Sequence, residues 1–152
     1  MPYASQKKYI LEIHRFAVGG SGGGEHQQVA GLAGIYPVFD FRSYPGVKQA
    51  ASAYELKPAE LETQLLRFNP IEKVASIAKA KIPVLLIHGD QDATVPLREN
   101  SAEFKSRYTA DGMGDLVHLI VYEGQGHNYW EGFFRCKELI AFAIERAKDG
   151  AK

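Results

Sequence analysis

Apolar runs separated by polar, glycine- and proline-containing loops predict alternating strands and helices along most of this chain. Short runs of small or β-branched apolar residues predict buried strands at 29–38 and 84–87, and residues 116–122 predict a third strand of mixed character. Segments with apolar residues three or four positions apart predict helices within 48–80 and at 96–108 and 133–148. This order favours a sheet of parallel strands joined by right-handed helical crossovers.

Local signals add two helix starts and one more strand to this pattern. Pro58 and Glu60 are typical of the first turn of a helix. Asn69 stands directly before Pro70, so we expect the Asn69 side chain to be the N-cap of a second helix. Residues 9–18 alternate loosely between apolar and polar positions, and they predict a strand ahead of the others.

Acids and a histidine follow two neighbouring strands at the points where the strands end. Asp90 and Asp92 come after the second buried strand, and His127 follows the third. Reactive groups of open α/β sheets gather beyond the carboxyl ends of strands, so we expect these side chains to lie close together. A histidine oriented by a carboxylate takes a proton from a hydroxyl and returns it to a leaving group. The sequence therefore predicts that His127 is the catalytic base and that Asp92 is the carboxylate that orients it.

From residue 29 to about residue 147 the chain resembles the C-terminal half of an α/β-hydrolase of the esterase or prolyl oligopeptidase-like kind. The resemblance rests on two motifs, His88-Gly89-Asp90-Gln91-Asp92-Ala93-Thr94-Val95-Pro96 and Gly124-Gln125-Gly126-His127-Asn128. In that family the acid precedes the Val-Pro pair, which corresponds to Asp92, and the loop histidine corresponds to His127. The resemblance implies a three-layer, partial α/β-hydrolase fold whose mostly parallel sheet of about four strands is flanked by helices.

The same resemblance divides the chain into two parts. Residues 29–152 correspond to the C-terminal half of the hydrolase fold, whereas residues 1–28 form an atypical segment with a glycine-rich linker or elbow. We expect the N-terminal half of the family's fold to be missing or replaced. Whether such a start is natural, deleted, recombined or engineered stays open.

The nucleophile of such a site would be a serine in a Gly-x-Ser-x-Gly turn, and Ser21 is the candidate. Gly19-Gly20-Ser21-Gly22-Gly23 fits the pattern, and the amide of Gly22 would then donate to the oxyanion. However, a glycine-serine tract is equally typical of a linker. Only seven residues separate Ser21 from Val29, whereas a crossover between parallel strands takes about a dozen or more. Ser21 is therefore either a nucleophile or a linker serine.

The other polar residues of the first motif have simpler interpretations. Asp90 is expected to shape the turn, and His88 to pack or hydrogen-bond beneath the loop. Together with Asp92 and His127 they contain the ligand types of a metal site. The hydrolase interpretation explains the same residues, so we predict no metal and no cofactor.

Composition excludes several other classes of function. Eighteen acidic and eighteen basic residues give a net charge of zero, so no global field favours nucleic acid or an anionic membrane. No apolar stretch approaches the roughly 20 residues that span a bilayer, and the first residues lack a secretory signal. A single cysteine, Cys136, suits a reducing compartment. We expect a cytoplasmic protein.

Two functions remain in competition after these exclusions. The first is hydrolysis of a small carboxylic ester by Ser21, His127 and Asp92. The alternative is a catalytically inactive hydrolase remnant that acts as a structural or binding module. In either case an open sheet edge predicts a homo-oligomer such as a dimer. Aromatic residues near the site have core packing as their simplest role, although one or two are candidates to line an acyl pocket: Tyr36, Phe39, Phe41, Tyr44, Tyr54 and Trp130.

Overall fold

The computed structural model describes residues 14–18 and 28–149, with side chains described for residues 29–148. Its sheet has four strands in the order β1-β2-β3-β4. They are β1 (His14–Val18), β2 (Gln28–Ile35), β3 (Val84–Gly89) and β4 (Val117–Tyr122). β2, β3 and β4 are parallel, which confirms the mostly parallel sheet of about four strands.

β1 departs from the parallel direction. It pairs with β2 in antiparallel register, with Val18 opposite Gln28 and His14 opposite Ala33. The short connection over 19–27 explains this direction, because a parallel pair needs a longer crossover. Val18 therefore lies at the amino ends of the three parallel strands, at the opposite edge of the sheet from their carboxyl ends.

Seven α-helices connect and cover the described strands. They are α1 (Val47–Ala53), α2 (Pro58–Thr63), α3 (Leu65–Phe68), α4 (Val74–Lys79), α5 (Glu103–Ala110), α6 (Glu131–Phe134) and α7 (Lys137–Asp149). A 3-10 turn at Pro70–Lys73 precedes α4, a π-helical segment at Arg98–Ala102 precedes α5, and a 3-10 turn at Gly114–Leu116 precedes β4.

Apolar side chains on both faces of the sheet give the fold its three layers. β3 is buried along its whole length, and its side chains alternate between the two faces because successive residues of a strand point in opposite directions. Val84 and Leu86 pack with residues of α4 and α5, whereas Ile87 packs with Phe133 of α6 and Cys136. A further cluster joins the long segment between β2 and β3 to Val95 of the loop after β3; its other buried members are Val38, Phe41, Ala50, Ala51 and Leu61.

The sequence placed some element boundaries wrongly. The first buried strand ends at Ile35 rather than at residue 38, because Tyr36 has a φ of +36° and leaves the extended conformation. The helix expected over 96–108 begins at Arg98 with a π-helical segment. The helix expected over 133–148 is two helices, α6 and α7, with a break after Phe134.

The Asn69 side chain does not cap a helix, contrary to the sequence prediction. Its Oδ1 accepts the backbone N–H of Phe41 at 3.0 Å, and its Nδ2 donates to Oδ1 of Asp40 at 2.9 Å. Burial raises the pKa of Asp40, but hydrogen bonds from Arg42 and Asn69 outweigh burial and hold that pKa below its usual range. The Asn69 side chain therefore ties down the loop after β2, while the residue itself stands directly before the 3-10 turn at Pro70–Lys73.

Within the described part of the chain, every helix is too short or too polar to cross a membrane.

Candidate functional site

The structure brings Asp92 and His127 together beyond the carboxyl ends of β3 and β4. Nδ1 of His127 lies 2.9 Å from Oδ2 of Asp92, within hydrogen-bonding distance. The Asp92 side chain is completely buried, whereas one third of the His127 side chain is exposed. The pair thus has an ionisable group sealed inside the fold and a ring that reaches solvent.

The loop after β3 holds Asp92 through its own backbone. Oδ1 of Asp92 accepts the N–H groups of Thr94 and Val95 at 3.0 and 2.8 Å. These bonds form a turn of the type that aspartate closes readily with residues two and three positions ahead. Because Oδ1 is occupied by the backbone, Oδ2 is the oxygen presented to His127.

The loop that carries His127 is attached to the Asp92 loop by two hydrogen bonds. Oδ1 of Asp90 accepts the N–H of Gly124 at 2.7 Å, and the N–H of Gln91 donates to the Gln125 carbonyl at 2.9 Å. Gly124 has a φ of +71°, a conformation that glycine adopts without steric cost. Asp90 shapes the turn, as the sequence predicts, and it also joins the two loops.

His88 lies beneath the pair and is completely buried. Its Nε2 lies 2.8 Å from the Val95 carbonyl, which can only accept, so Nε2 carries a proton. Its Nδ1 lies 2.8 Å from Oγ of Ser101 and accepts the hydroxyl proton when the ring is neutral. Burial lowers the pKa of His88, although the Val95 carbonyl and the charge of Asp92 oppose that shift. The neutral ring supports the loop from inside, as the sequence predicts.

This geometry suits proton transfer at His127. If Nδ1–H donates to Asp92, the neutral ring keeps a lone pair on Nε2, and Nε2 can accept a proton from a hydroxyl. The buried carboxylate would then stabilise the imidazolium that forms. The same arrangement returns the proton to a leaving group.

The aromatic residues suggested for a pocket separate into two groups. Phe39 and Phe41 are buried in the core, and Tyr44 and Tyr54 pack against the cluster around Phe41. Tyr36 and Trp130 are different. The Tyr36 ring lies 4.3 Å from the His127 ring between centroids, and the Trp130 ring contacts Tyr122 and Phe133.

Asn100 has a supporting role that sequence patterns did not predict. Its Oδ1 accepts the backbone N–H groups of Phe39 and Asp40 at 2.8 and 3.0 Å. Its Nδ2 donates to Ser43 Oγ and to the Pro96 carbonyl, both at 2.9 Å. This buried amide fastens the loop after β2 to the loop after β3. Its partners lie up to 61 residues away along the sequence, so no local pattern predicts the interaction.

Ser21 lies outside the described residues. Val18, the last residue of β1, lies at the amino ends of the parallel strands, whereas Asp92 and His127 lie beyond the carboxyl ends.

Among the described residues, histidine, cysteine and carboxylate side chains form no group of three or more that could hold a metal ion.

Comparisons with known proteins identify the family and the fold. The model of the prolyl oligopeptidase family, Peptidase_S9, matches residues 1–144. A solved structure from Bacteroides ovatus, of a protein proposed to be a dipeptidyl aminopeptidase IV, has a similar fold, with a TM-score of 0.56 and 19% sequence identity. The match covers 75% of this chain and 15% of that protein, so the chain spans a small part of its length. No curated protein matches the chain.

Proposed function

Because the chain belongs to the prolyl oligopeptidase family, a family of α/β-hydrolases, we propose that Asp92 and His127 form the acid–base half of a site that hydrolyses small carboxylic esters. The observation that carries the proposal is the 2.9 Å contact between the buried Asp92 carboxylate and the partly exposed His127 ring. A buried carboxylate and an accessible imidazole are what general acid–base catalysis of acyl transfer requires.

In this mechanism Ser21 supplies the nucleophile. Oγ of Ser21 forms a bond to the ester carbonyl carbon while Nε2 of His127 takes the hydroxyl proton. The carbonyl becomes a tetrahedral oxyanion, which the Gly22 amide stabilises. The C–O bond to the alcohol breaks as His127 returns the proton to the alcohol. Water then attacks the acyl-enzyme with His127 again as base, and the acid and free Ser21 are released.

Turnover of p-nitrophenyl acetate by the full chain tests the proposal. We expect His127→Ala and Ser21→Ala to lower kcat/KM by at least about 100-fold, since general acid–base catalysis alone contributes that much. His118→Ala is the matched control, because His118 is an exposed histidine of β4 away from the Asp92 loop. Equal rates for all four proteins would contradict a catalytic role for these residues.

A second candidate function is a structural or binding module without catalysis. The direction of β1 favours it, because the strand that precedes the Gly-Ser tract ends away from His127. A fluorophosphonate probe separates the two candidates. A catalytic chain is labelled at Ser21 and loses the label in Ser21→Ala, whereas the module is not labelled and folds equally well in both forms.

We also propose that the chain self-associates. β4 lies at one edge of the described sheet, and its Val121 is exposed. Ile140 and Ile144, one turn apart on α7, are more than half exposed. Exposed strand edges and apolar residues of this kind are typical of association surfaces. A monomeric sedimentation profile at micromolar concentration would contradict the proposal.

A further inference from the structure

Tyr36 has a backbone conformation that a bulky residue rarely adopts. It directly follows β2, and its φ is +36°. A side chain with a Cβ is crowded in this left-handed region, so the conformation is strained. Glycine would adopt it with little strain. A tyrosine at this position therefore indicates that contacts of its side chain outweigh the strain.

One hydrogen bond holds the backbone of Tyr36 in place. Its N–H donates to the Ile87 carbonyl at 2.6 Å, which extends the contact between β2 and β3 past the end of β2. The chain also turns closely over Gly34, where an added Cβ would lie 3.2 Å from the Pro37 ring. The backbone at Tyr36 is thus fixed on the strand that leads directly into the Asp92 loop.

The ring of Tyr36 lies between His127 and the core. Its centroid is 4.3 Å from the His127 ring at an interplanar angle of 53°, and 5.5 Å from the Phe133 ring at 84°. Phe133 is completely buried, and it packs in turn against Tyr122 and Trp130. Tyr36 therefore connects the His127 ring to the buried aromatic residues of the core.

The hydrogen bond to Asp92 acts on one side of the His127 ring. It restrains Nδ1 and, through the directionality of the N–H···O bond, limits rotation of the ring. Aromatic packing also restrains the plane, because ring pairs at this separation favour a limited set of orientations. The two contacts together determine where Nε2 points.

We propose that Tyr36 is a positioning residue for His127: its strained backbone places an aromatic ring that holds the imidazole plane, so that Nδ1 stays on Asp92 and Nε2 faces the substrate. The inference rests on the proposed function for its catalytic consequence. The restraint on the ring itself is a property of the folded chain, and it is measurable whether or not the chain hydrolyses an ester.

Imidazole NMR of the full chain tests the restraint. We expect Tyr36→Phe to keep the hydrogen-bonded Nδ1 proton of His127 and the wild-type ring shifts. Tyr36→Leu is expected to change the ring shifts and to lose the Nδ1 proton signal through faster exchange with water. Tyr54→Leu is the matched control. Tyr54 packs against Phe41 and Phe68, so this substitution removes an aromatic ring that does not contact His127.

Tyr36→Gly keeps the test decisive if Tyr36→Leu does not fold, because glycine removes the ring and relieves the backbone strain together. A folded Tyr36→Gly or Tyr36→Leu protein that keeps the Nδ1 proton signal of His127 would overturn the proposal.

Ester turnover adds a separate test of the catalytic consequence. We expect Tyr36→Leu to lower kcat about tenfold or more with little change in KM, because misplacement of a catalytic group affects the reacting geometry rather than binding. Loss of the His127 signals in Tyr36→Leu together with no turnover in any variant would leave the positioning role intact and reject the proposed hydrolysis. Wild-type kcat in Tyr36→Leu would count against the positioning role.

Discussion

The Gln125 carbonyl passes directly over the Cα of Gly89, in the space where any other residue would carry its Cβ. Gly89 is the last residue of β3, and Gln125 precedes His127 by two positions. This approach lets the Gln91 N–H reach the same carbonyl. The close fit of the two loops, and therefore the contact between Asp92 and His127, depends on the missing side chain at Gly89.

Gly89→Ala is accordingly expected to force the two loops apart. An inserted methyl group that overlaps backbone costs about 1–3 kcal/mol, and we expect a loss of that size in the free energy of unfolding from urea titration. Gly126→Ala is the matched control in the same pair of loops, because its added Cβ would meet only the Gln91 carbonyl at 3.4 Å, an ordinary contact. An equal effect of the two substitutions would mean that the Gly89 contact is not special.

Asp92→Asn is expected to change the tautomer of His127 while the fold is kept. The asparagine Oδ1 can still accept the N–H groups of Thr94 and Val95, but an amide Nδ2 now faces His127 Nδ1. Nδ1 must then accept, so the ring proton moves to Nε2, where it blocks general-base action. Imidazole ¹⁵N shifts report the tautomer, and kcat for ester turnover should fall by about 10⁴-fold.

Asp90→Asn provides the comparison for that experiment. Its Oδ1 can still accept the Gly124 N–H, and Asp90 makes no described contact with the His127 ring. We expect the wild-type His127 tautomer in this variant. A change of tautomer in both variants would indicate a general loosening of the loops rather than a specific role for Asp92.

The sequence predicted the parts of the fold that depend on local signals. Apolar runs identified the three parallel strands, and the loop motifs identified Asp92 and His127, because strand ends and neighbouring polar residues lie together in the chain. The sequence did not predict the direction of β1, which the short connection to β2 accounts for in the structure.

Interactions between distant residues account for most of what the sequence did not reveal. Asn69 carried a helix-capping signal, yet its side chain bonds to Asp40 and Phe41 across the core. The strain at Tyr36 follows from tertiary packing, since an aromatic residue after a strand carries no local sign of a positive φ. Tertiary contacts of this kind override local preference.

Asn100→Ala is expected to destabilise the protein strongly. The substitution removes the acceptor for the Phe39 and Asp40 N–H groups and the donor to Ser43 and Pro96. Each buried polar group left without a partner costs about 1–3 kcal/mol. Urea unfolding should show that loss, whereas Asn128→Ala, which removes an exposed hydrogen bond from the Trp130 N–H, should cost only about 0.5–1.5 kcal/mol. Similar effects at both positions would contradict the role assigned to Asn100.

The buried neutral His88 predicts that stability falls as the solution becomes acidic. Burial lowers the pKa of His88 in the folded protein below the ordinary value of 6.5. Below about pH 6.5 the unfolded chain therefore binds a proton that the folded chain refuses. The unfolded state binds more protons in this range, so the free energy of unfolding rises with pH and decreases on acidification. For this one group the slope is at most about 1.4 kcal/mol per pH unit.

Urea titrations between pH 5 and pH 8 measure this slope, and His88→Gln provides the reference. Glutamine offers a donor towards Val95 and an acceptor towards Ser101 but does not titrate in this range. His127 and Asp92, which face His88, remain in both proteins and cancel in the difference. We expect the wild-type protein to lose more stability on acidification than His88→Gln, although the variant is less stable at pH 8. Parallel pH profiles would mean that His88 takes up its proton equally in the folded and unfolded states. That result would contradict the assignment of a neutral ring to the buried His88.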